Sequence, residues 1–295
     1  MESSRARTLG LLAASGATLL WAGNFAAAKI AVAHLNPLLI ASIRIIAAAG
    51  FFALVRPRRD SAVPIAGPIW RDLLFLAVSG IVVNQYCFAA GMKWTTPSHS
   101  ALVHALIPVF VLGIGWIFLG ERAGLVKLCG VALALGGTAY VALNMSAGEQ
   151  RQTLIGDLLT LAGAASFAVY MVLGRRVLDR IGSFRTVTMA FVLSVPFAIP
   201  FLLGSGLAQD WKAVPWPAWA ALGYMIVAAT FICYTLHMYA VGRIGALRVS
   251  VFTNLQPILG AAIAHALGVD TLTIPFAAAA VVVIAGVAMV QFSKR

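Results

Sequence analysis

Long apolar stretches alternate with short polar or charged loops along the whole chain. Ten of these stretches approach or exceed the roughly 20 residues that a helix needs to cross the hydrocarbon core of a bilayer. We therefore predict an all-α integral membrane fold with ten transmembrane helices. The predicted spans are 9–33, 37–55, 70–92, 98–118, 124–145, 154–176, 184–204, 216–240, 247–267 and 272–292.

The fourth and ninth predicted spans each contain a proline. Pro257 lies 149 residues after Pro108. A proline inside a helix removes one backbone hydrogen bond and forces a kink, and in a bilayer the freed carbonyl must be satisfied by protein or by a polar cavity. We therefore predict that Pro108 and Pro257 act as hinges beside one central cavity.

The two halves of the chain resemble each other. At an offset of 149 residues, 135–141 aligns with 284–290, and at an offset of 146 residues, 21–25 aligns with 167–171. The chain then divides into 1–147 and 148–295, with five spans in each half. Because five is odd, the second half enters the membrane from the opposite side, which predicts two inverted repeats around a central cavity. This architecture is typical of alternating-access transporters that bind substrate near the midplane.

Composition agrees with a membrane location. The chain is 61% hydrophobic and 10% charged, with a mean hydropathy of +0.95, which excludes an ordinary soluble domain. The net charge of +12 is distributed as topology predicts: with both termini on one side, 16 of the 21 Lys and Arg residues lie on that side. The positive-inside rule then predicts an inner-membrane protein with cytoplasmic termini. We expect a small-molecule substrate and the lipid bilayer as partners and no nucleic acid. The sequence leaves the oligomeric state open, and a monomer is among the states that it allows.

Three segments carry a family resemblance: WAGNFAAAK at 21–29, the central Pro108, and LGERAGLVKLCGVALALGGTAYVAL at 119–143. They resemble the EamA-type members of the drug/metabolite transporter superfamily, most closely the YddG group of aromatic amino-acid exporters. The resemblance implies that helices 1, 3, 4, 6, 8 and 9 enclose a cavity while helices 5 and 10 lie outside. It also implies export of amino acids or related metabolites. The second half departs from the pattern, with Gly-Val-Asp at 268–270 in place of Leu-Gly-Glu at 119–121.

Polar and aromatic side chains inside the spans are the candidates for lining that cavity. An amide at mid-depth is costly unless it contacts water, substrate or another helix, so interhelical hydrogen bonding or plain packing is the alternative for each candidate. His104 lies one turn before Pro108, where it could carry a proton or bond the carbonyl that the proline frees. The candidates are Trp21, Asn24, Asn84, Gln85, Phe88, His104, Phe167, Tyr170, Tyr234, His237 and Asn254.

Arg44 is the only arginine well inside a predicted span. Its planar group of N–H donors suits the carboxylate of an amino acid, although it could instead extend toward the interface or bond helix-end carbonyls. No Asp or Glu lies at the middle of a span. Carboxylate-based proton coupling therefore has no carrier in the sequence, which favours facilitated or His-dependent movement.

The remaining residues point away from other classes of protein. The three cysteines lie inside apolar spans, and the spacing of His99 and His104 does not suit a metal on one helix face, so we predict no metal and no cofactor. We predict no catalytic residue either, because the spans lack paired acids or a nucleophile with its base, which disfavours an integral membrane enzyme. The main prediction is an exporter of aromatic or apolar amino acids and related metabolites. The alternative is an efflux protein for drugs or other metabolites with a less selective cavity.

Overall fold

The computed structural model describes residues 2–55, 67–119, 124–143, 147–245, 248–249, 252 and 255–292, and within them the regular structure is helical. In chain order the α-helices are α1 (Glu2–Val32), α2 (Pro37–Leu54), α3 (Gly67–Leu76), α4 (Asn84–Trp94), α5 (Pro97–His104), α6 (Ile107–Leu119), α7 (Leu125–Leu143), α8 (Ala147–Ile181), α9 (Ser183–Leu207), α10 (Trp216–Ile226), α11 (Cys233–Ile244), α12 (Gln256–Ala266) and α13 (Ile274–Phe292).

Seven helical stretches of the described residues are long and apolar enough to cross a membrane. They coincide with predicted spans one to four and six to eight. The fifth and tenth predicted spans contain shorter apolar stretches, Leu125–Tyr140 and Ile274–Val290, and the ninth contains α12. An all-α, multi-pass fold is therefore present, and the count of ten stays a prediction. The seven stretches are Ala6–Val32, Pro37–Leu54, Gly67–Trp94, Pro97–Ile117, Thr153–Ile181, Ser183–Leu207 and Trp216–Ile244.

Two helix starts are defined by their own sequence. The Asn36 side chain accepts a hydrogen bond from the Leu38 backbone N–H at 2.9 Å, and Pro37 occupies the first turn of α2. The Thr96 hydroxyl accepts one from the His99 N–H at 3.3 Å at the start of α5. In both cases a polar cap satisfies an N–H that has no partner within the helix, and proline fits the first turn because it has no N–H to satisfy.

Two spans contain a π-helical segment at their middle. We call these π1 (Ala77–Val83), between α3 and α4, and π2 (Val227–Ile232), between α10 and α11. The Ser194 hydroxyl donates to the Ala77 carbonyl at 3.2 Å, and the Thr230 hydroxyl donates to the Met225 carbonyl at 2.7 Å. Side-chain hydroxyls thus supply hydrogen bonds in and beside the π-helical turns. In other proteins, π-helical segments are frequent at functional sites.

The fourth span is interrupted beside its proline. α5 ends at His104 and α6 begins at Ile107, with Ala105 and Leu106 in a turn between them. Pro108 has no N–H to donate to the carbonyl four residues earlier, so one hydrogen bond of the regular helical pattern is missing where the span is interrupted. Pro257 lies in the first turn of α12, and the preceding residues 253–254 fall outside the described part of the chain. The predicted kink at Pro257 is therefore untested.

Helix packing separates one pair from the rest. α1 packs against α10, α11 and α12, while α2 packs against α9 and α4 against α8. α7 and α13 pack mainly against each other, and glycines allow the close approach: a Cβ atom at Gly286 would lie 2.6 Å from the Gly130 carbonyl oxygen. The α7–α13 pair thus lies beside the bundle that surrounds the cavity described next.

Candidate substrate cavity

A cavity lies at the middle of the bundle, between α1, α2, α4, α5, α6, α8, α11 and α12. Its volume is about 50 Å³. This is room for a few water molecules at about 10–15 Å³ each. The cavity is therefore narrow in this conformation. Its lining residues are Trp21, Asn24, Phe25, Arg44, Asn84, Gln85, Phe88, His104, Ile107, Phe167, Tyr234 and Gln256.

Trp21 is held in the cavity wall from two directions. Its ring centroid lies 5.5 Å from that of Phe167 and 5.8 Å from that of Tyr234, both edge to face. Its indole Nε1–H donates to the carbonyl of Ala229, in π2, at 2.7 Å. The ring contacts and the hydrogen bond together fix the plane of the indole, so α1 presents a rigid aromatic surface.

A second aromatic group surrounds His104. The centroids of Phe25 and Phe88 lie 5.2 Å and 5.5 Å from the imidazole centroid. Nδ1 of His104 lies 2.8 Å from the Ser100 carbonyl oxygen. Because a carbonyl can only accept, we assign the proton of the neutral ring to Nδ1, which leaves Nε2 as an acceptor. The carbonyl that Pro108 frees is the backbone carbonyl of His104 itself. The imidazole does not bond that carbonyl but that of Ser100, one turn earlier.

The amides of the cavity differ in how they are satisfied. Asn84 donates to the Gly163 carbonyl at 3.0 Å and accepts from the Tyr234 hydroxyl at 3.1 Å, so it links α4 to α8 and α11. Interhelical hydrogen bonding, the alternative considered for it, therefore occurs in a residue that also lines the cavity. Asn24 is buried, and its Oδ1 has no hydrogen-bond partner among the described residues.

Arg44 is buried in the cavity wall and does not extend to an interface. Arg44 is 2% exposed. Its Nε and Nη2 donate to Oγ1 of Thr230, at 3.1 Å and 3.0 Å. Its Nη1 has no partner among the described residues. None of the lining residues that the structure describes is Asp or Glu. A buried guanidinium without a counter-charge costs several kcal/mol, so this site favours an anion.

Two predicted lining residues, Tyr170 and His237, are not in the cavity wall, and a third cannot be placed. Tyr170 is fully buried and packs against Gly80, where a Cβ atom would overlap its ring. His237 lies behind Trp21, with ring centroids 5.0 Å apart. Asn254 lies outside the described residues.

The prediction also missed three lining residues. Phe25 and Ile107 look like ordinary apolar helix residues, and nothing in their local pattern marks them. Gln256 had a usable signal, since it is a polar residue beside the central proline of its span.

A polar network joins the two predicted halves at one end of the bundle. We call it the end network: Thr95, His99, Asp157 and Asp270. The Thr95 hydroxyl donates to Asp157, whose other carboxylate oxygen lies 3.3 Å from Nδ1 of His99. Asp270 accepts from the Ser98 backbone N–H at 2.8 Å.

The end network contains a buried acid near the start of the sixth predicted span, away from the middle of any span. Asp157 is 8% exposed and pairs with an imidazole. His99 lies five residues before His104, about 7.5 Å along the helix axis. The network is therefore close to the cavity without forming part of its lining.

Comparison with known proteins identifies the family. A model described as the EamA-like transporter family matches residues 8–143 and again residues 154–292. The chain belongs to this family. It is therefore a multi-pass membrane transporter and not an enzyme, as the sequence predicted.

Several relatives of this EamA family member are matched over most of their length. It is 29% identical to a probable amino-acid metabolite efflux pump of Salmonella typhimurium over 94% of this chain and 93% of that protein. A protein of Escherichia coli with the same description is 26% identical, over 86% and 85%. An uncharacterized transporter of Archaeoglobus fulgidus is 31% identical, over 82% and 83%.

The fold is also similar to that of a solved crystal structure. The match covers 97% of this chain and 98% of the chain in that structure, with a TM-score of 0.67 and 17% sequence identity. At this identity the likeness concerns the fold alone. The family match and the relatives described as efflux pumps support a membrane exporter of the EamA family.

Proposed function

We propose that this protein exports amino acids, chiefly aromatic and apolar ones, and related metabolites by alternating access. The observation that carries the proposal is the central cavity, whose described lining residues include several aromatic rings and one buried cation and no acid. Aromatic surfaces favour an apolar side chain, and the cation favours a carboxylate. The description of two relatives as probable amino-acid metabolite efflux pumps supports the same substrate class.

The proposal includes two inverted repeats, 1–147 and 148–295. The family model matches once in each half. Three pairs of lining residues are related by the sequence offsets: Trp21 with Phe167 by 146, and Gln85 with Tyr234 and Ile107 with Gln256 by 149. π1 and π2 also correspond, since they lie at the middle of the third and eighth spans, which are the third spans of the two halves. These correspondences support a substrate site at the interface of two related halves.

The narrow cavity supports a transport cycle in which the halves move. A volume of about 50 Å³ does not hold an amino acid, so binding requires the walls to separate. The break between α5 and α6 gives the fourth span a place to bend. We propose Pro108 as a hinge there, with Pro257 as its counterpart in the ninth span.

We also propose an orientation in an inner membrane with both termini cytoplasmic. It follows from the 16 Lys and Arg residues that fall on the side of the termini in the ten-span topology. In this orientation the end network lies on the outer side. Because the contacts of the end network are formed, the cavity is closed toward the outside in this orientation.

Purified protein in liposomes loaded with unlabelled L-phenylalanine tests the substrate class. We expect labelled L-phenylalanine to accumulate by exchange above the level in protein-free liposomes, and L-leucine to compete more strongly than L-glutamate or L-lysine. The cationic dye ethidium should compete weakly, because Arg44 repels it from the cavity. Dye transport without amino-acid exchange would instead support the drug-efflux alternative and refute the amino-acid proposal.

A further inference from the structure

We propose that the cavity holds an α-amino acid by both of its charged groups, the carboxylate on Nη1 of Arg44 and the ammonium on Oδ1 of Asn24. The inference rests on the proposed function and deepens it. It follows from two buried polar atoms of opposite character that have no partner among the described residues and that line the same cavity.

Arg44 is oriented so that one donor group remains available. The Thr230 hydroxyl gives its proton to the Met225 carbonyl, so its oxygen is fixed as the acceptor for Nε and Nη2 of Arg44. Nη1 is then the free edge of an anchored guanidinium. A carboxylate on that edge forms a charge-assisted hydrogen bond and supplies the missing counter-charge.

Asn24 offers the complementary group. Its Oδ1 is an acceptor and needs an N–H or O–H donor. An α-ammonium group carries three donors and a positive charge, which also suits the faces of the surrounding aromatic rings. A substrate with a carboxylate alone satisfies Arg44 but leaves this buried acceptor unpaired, which is unfavourable.

The two atoms are arranged around Trp21. The indole Nε1 and the Arg44 guanidinium bond neighbouring residues of π2, Ala229 and Thr230. Asn24 lies three residues after Trp21, on the same face of α1. The guanidinium and the amide therefore border the same aromatic surface, on which the side chain of the substrate packs.

Two truncated analogues of L-phenylalanine separate the two contacts. 3-Phenylpropionate lacks the ammonium and phenethylamine lacks the carboxylate. In exchange assays with labelled L-phenylalanine and the wild-type protein, we expect each analogue to compete about tenfold more weakly or worse than L-phenylalanine, because each lacks one charge-assisted hydrogen bond.

Variants should remove these preferences one at a time. Arg44→Gln should abolish the advantage of L-phenylalanine over phenethylamine and keep its advantage over 3-phenylpropionate. Asn24→Leu should abolish the advantage of L-phenylalanine over 3-phenylpropionate and keep its advantage over phenethylamine. Arg243→Gln is the matched control, because Arg243 lies over the Tyr239 ring, 5.1 Å from its centroid, and does not line the cavity. It should retain both preferences.

The outcomes distinguish this inference from the proposed function. If L-phenylalanine is exchanged but both analogues compete as well as it does against the wild type, the two-point binding is wrong while the function stands. The same holds if the two variants lose both preferences together while remaining monodisperse by gel filtration. If no amino acid is exchanged at all, the proposed function itself is wrong. Should Arg44→Gln not fold, Arg44→Lys, which keeps the charge, is expected to retain part of the preference over phenethylamine.

Discussion

At the scale of single residues, Trp21 shows how one side chain links the cavity to the backbone around it. Its ring contacts Phe167 and Tyr234, and its Nε1 bonds the carbonyl of Ala229. We therefore expect a movement of π2 to displace Trp21 in the aromatic wall. Replacing the indole with a phenyl ring removes this hydrogen bond and retains an aromatic ring at the position.

The variant Trp21→Phe keeps an aromatic ring and loses the donor. A net hydrogen bond contributes about 1 kcal/mol, so we expect the half-saturating concentration of L-phenylalanine to rise about fivefold. The measurement is the concentration dependence of exchange in liposomes. Trp219→Phe is the control, since Trp219 stacks on Trp211 away from the cavity at a centroid distance of 5.8 Å. Equal effects of the two variants would refute this role of Trp21.

The sequence predicted most of the polar lining because polar atoms at the middle of a span are costly and therefore few. Asn24, Asn84 and Gln85 stood out for that reason, and each lines the cavity. Phe25 could not be found in this way, because an apolar residue suits lipid, core and cavity equally well. Tyr170 was placed on the right helix, but its direction depends on the space left by Gly80, which no local pattern reveals.

At the scale of helices, proline alone did not predict where a span is interrupted. The fourth span breaks just before Pro108, whereas α9 continues through Pro196 and Pro200. The π1 and π2 segments were not predicted at all. A π segment adds one residue to a turn without leaving a mark in an apolar sequence, so only the hydrogen-bond pattern of the folded chain reveals it.

Restoring a backbone donor at the break tests the proposed hinge. In Pro108→Ala the chain regains an N–H and can form a more continuous helix. We expect the maximal exchange rate to fall more than the half-saturating concentration changes, because the variant impedes the motion and leaves the cavity lining in place. Pro200→Ala, within the continuous helix α9, is the control and should exchange normally. An unchanged rate in Pro108→Ala would exclude the hinge.

The glycine contact between α7 and α13 can be tested by adding one methyl group. In Gly286→Ala the new Cβ would lie 2.6 Å from the Gly130 carbonyl oxygen, so the helices must separate. We expect a lower melting temperature in detergent, since overpacking costs about 1–3 kcal/mol. Gly136→Ala has open space around the new Cβ and should melt like the wild type. Equal melting of both variants would contradict the close packing.

At the scale of the whole molecule, two groups of hydrogen bonds between the predicted halves lie at one end of the bundle. The end network is one group of them. Gln209 forms another, since it accepts from the Asn36 backbone N–H and donates to the His34 carbonyl, both at 3.1 Å. In an alternating-access cycle, opening of the cavity at this end requires these contacts to break.

A reversible cross-link at this end tests that requirement. In a background without native cysteines, Ser98→Cys and Asp270→Cys combined should react with a short thiol cross-linker, because the Ser98 nitrogen and the Asp270 carboxylate are 2.8 Å apart. We expect exchange to stop after cross-linking and to recover after reduction. Each single-cysteine variant is a control and should stay active under the same treatment. Full exchange by the cross-linked protein would show that this end does not open.

The unpaired guanidinium of Arg44 has a consequence for the rates of the two directions of the cycle. A loaded carrier closes around a cation that the substrate has neutralised, whereas an empty carrier must close around the cation alone, at a cost in free energy. Under the proposed cycle, we therefore expect the return of the empty carrier to be the slow step. We expect exchange of one amino acid for another to outpace one-way release, and amino acid added outside to accelerate the loss of label from within.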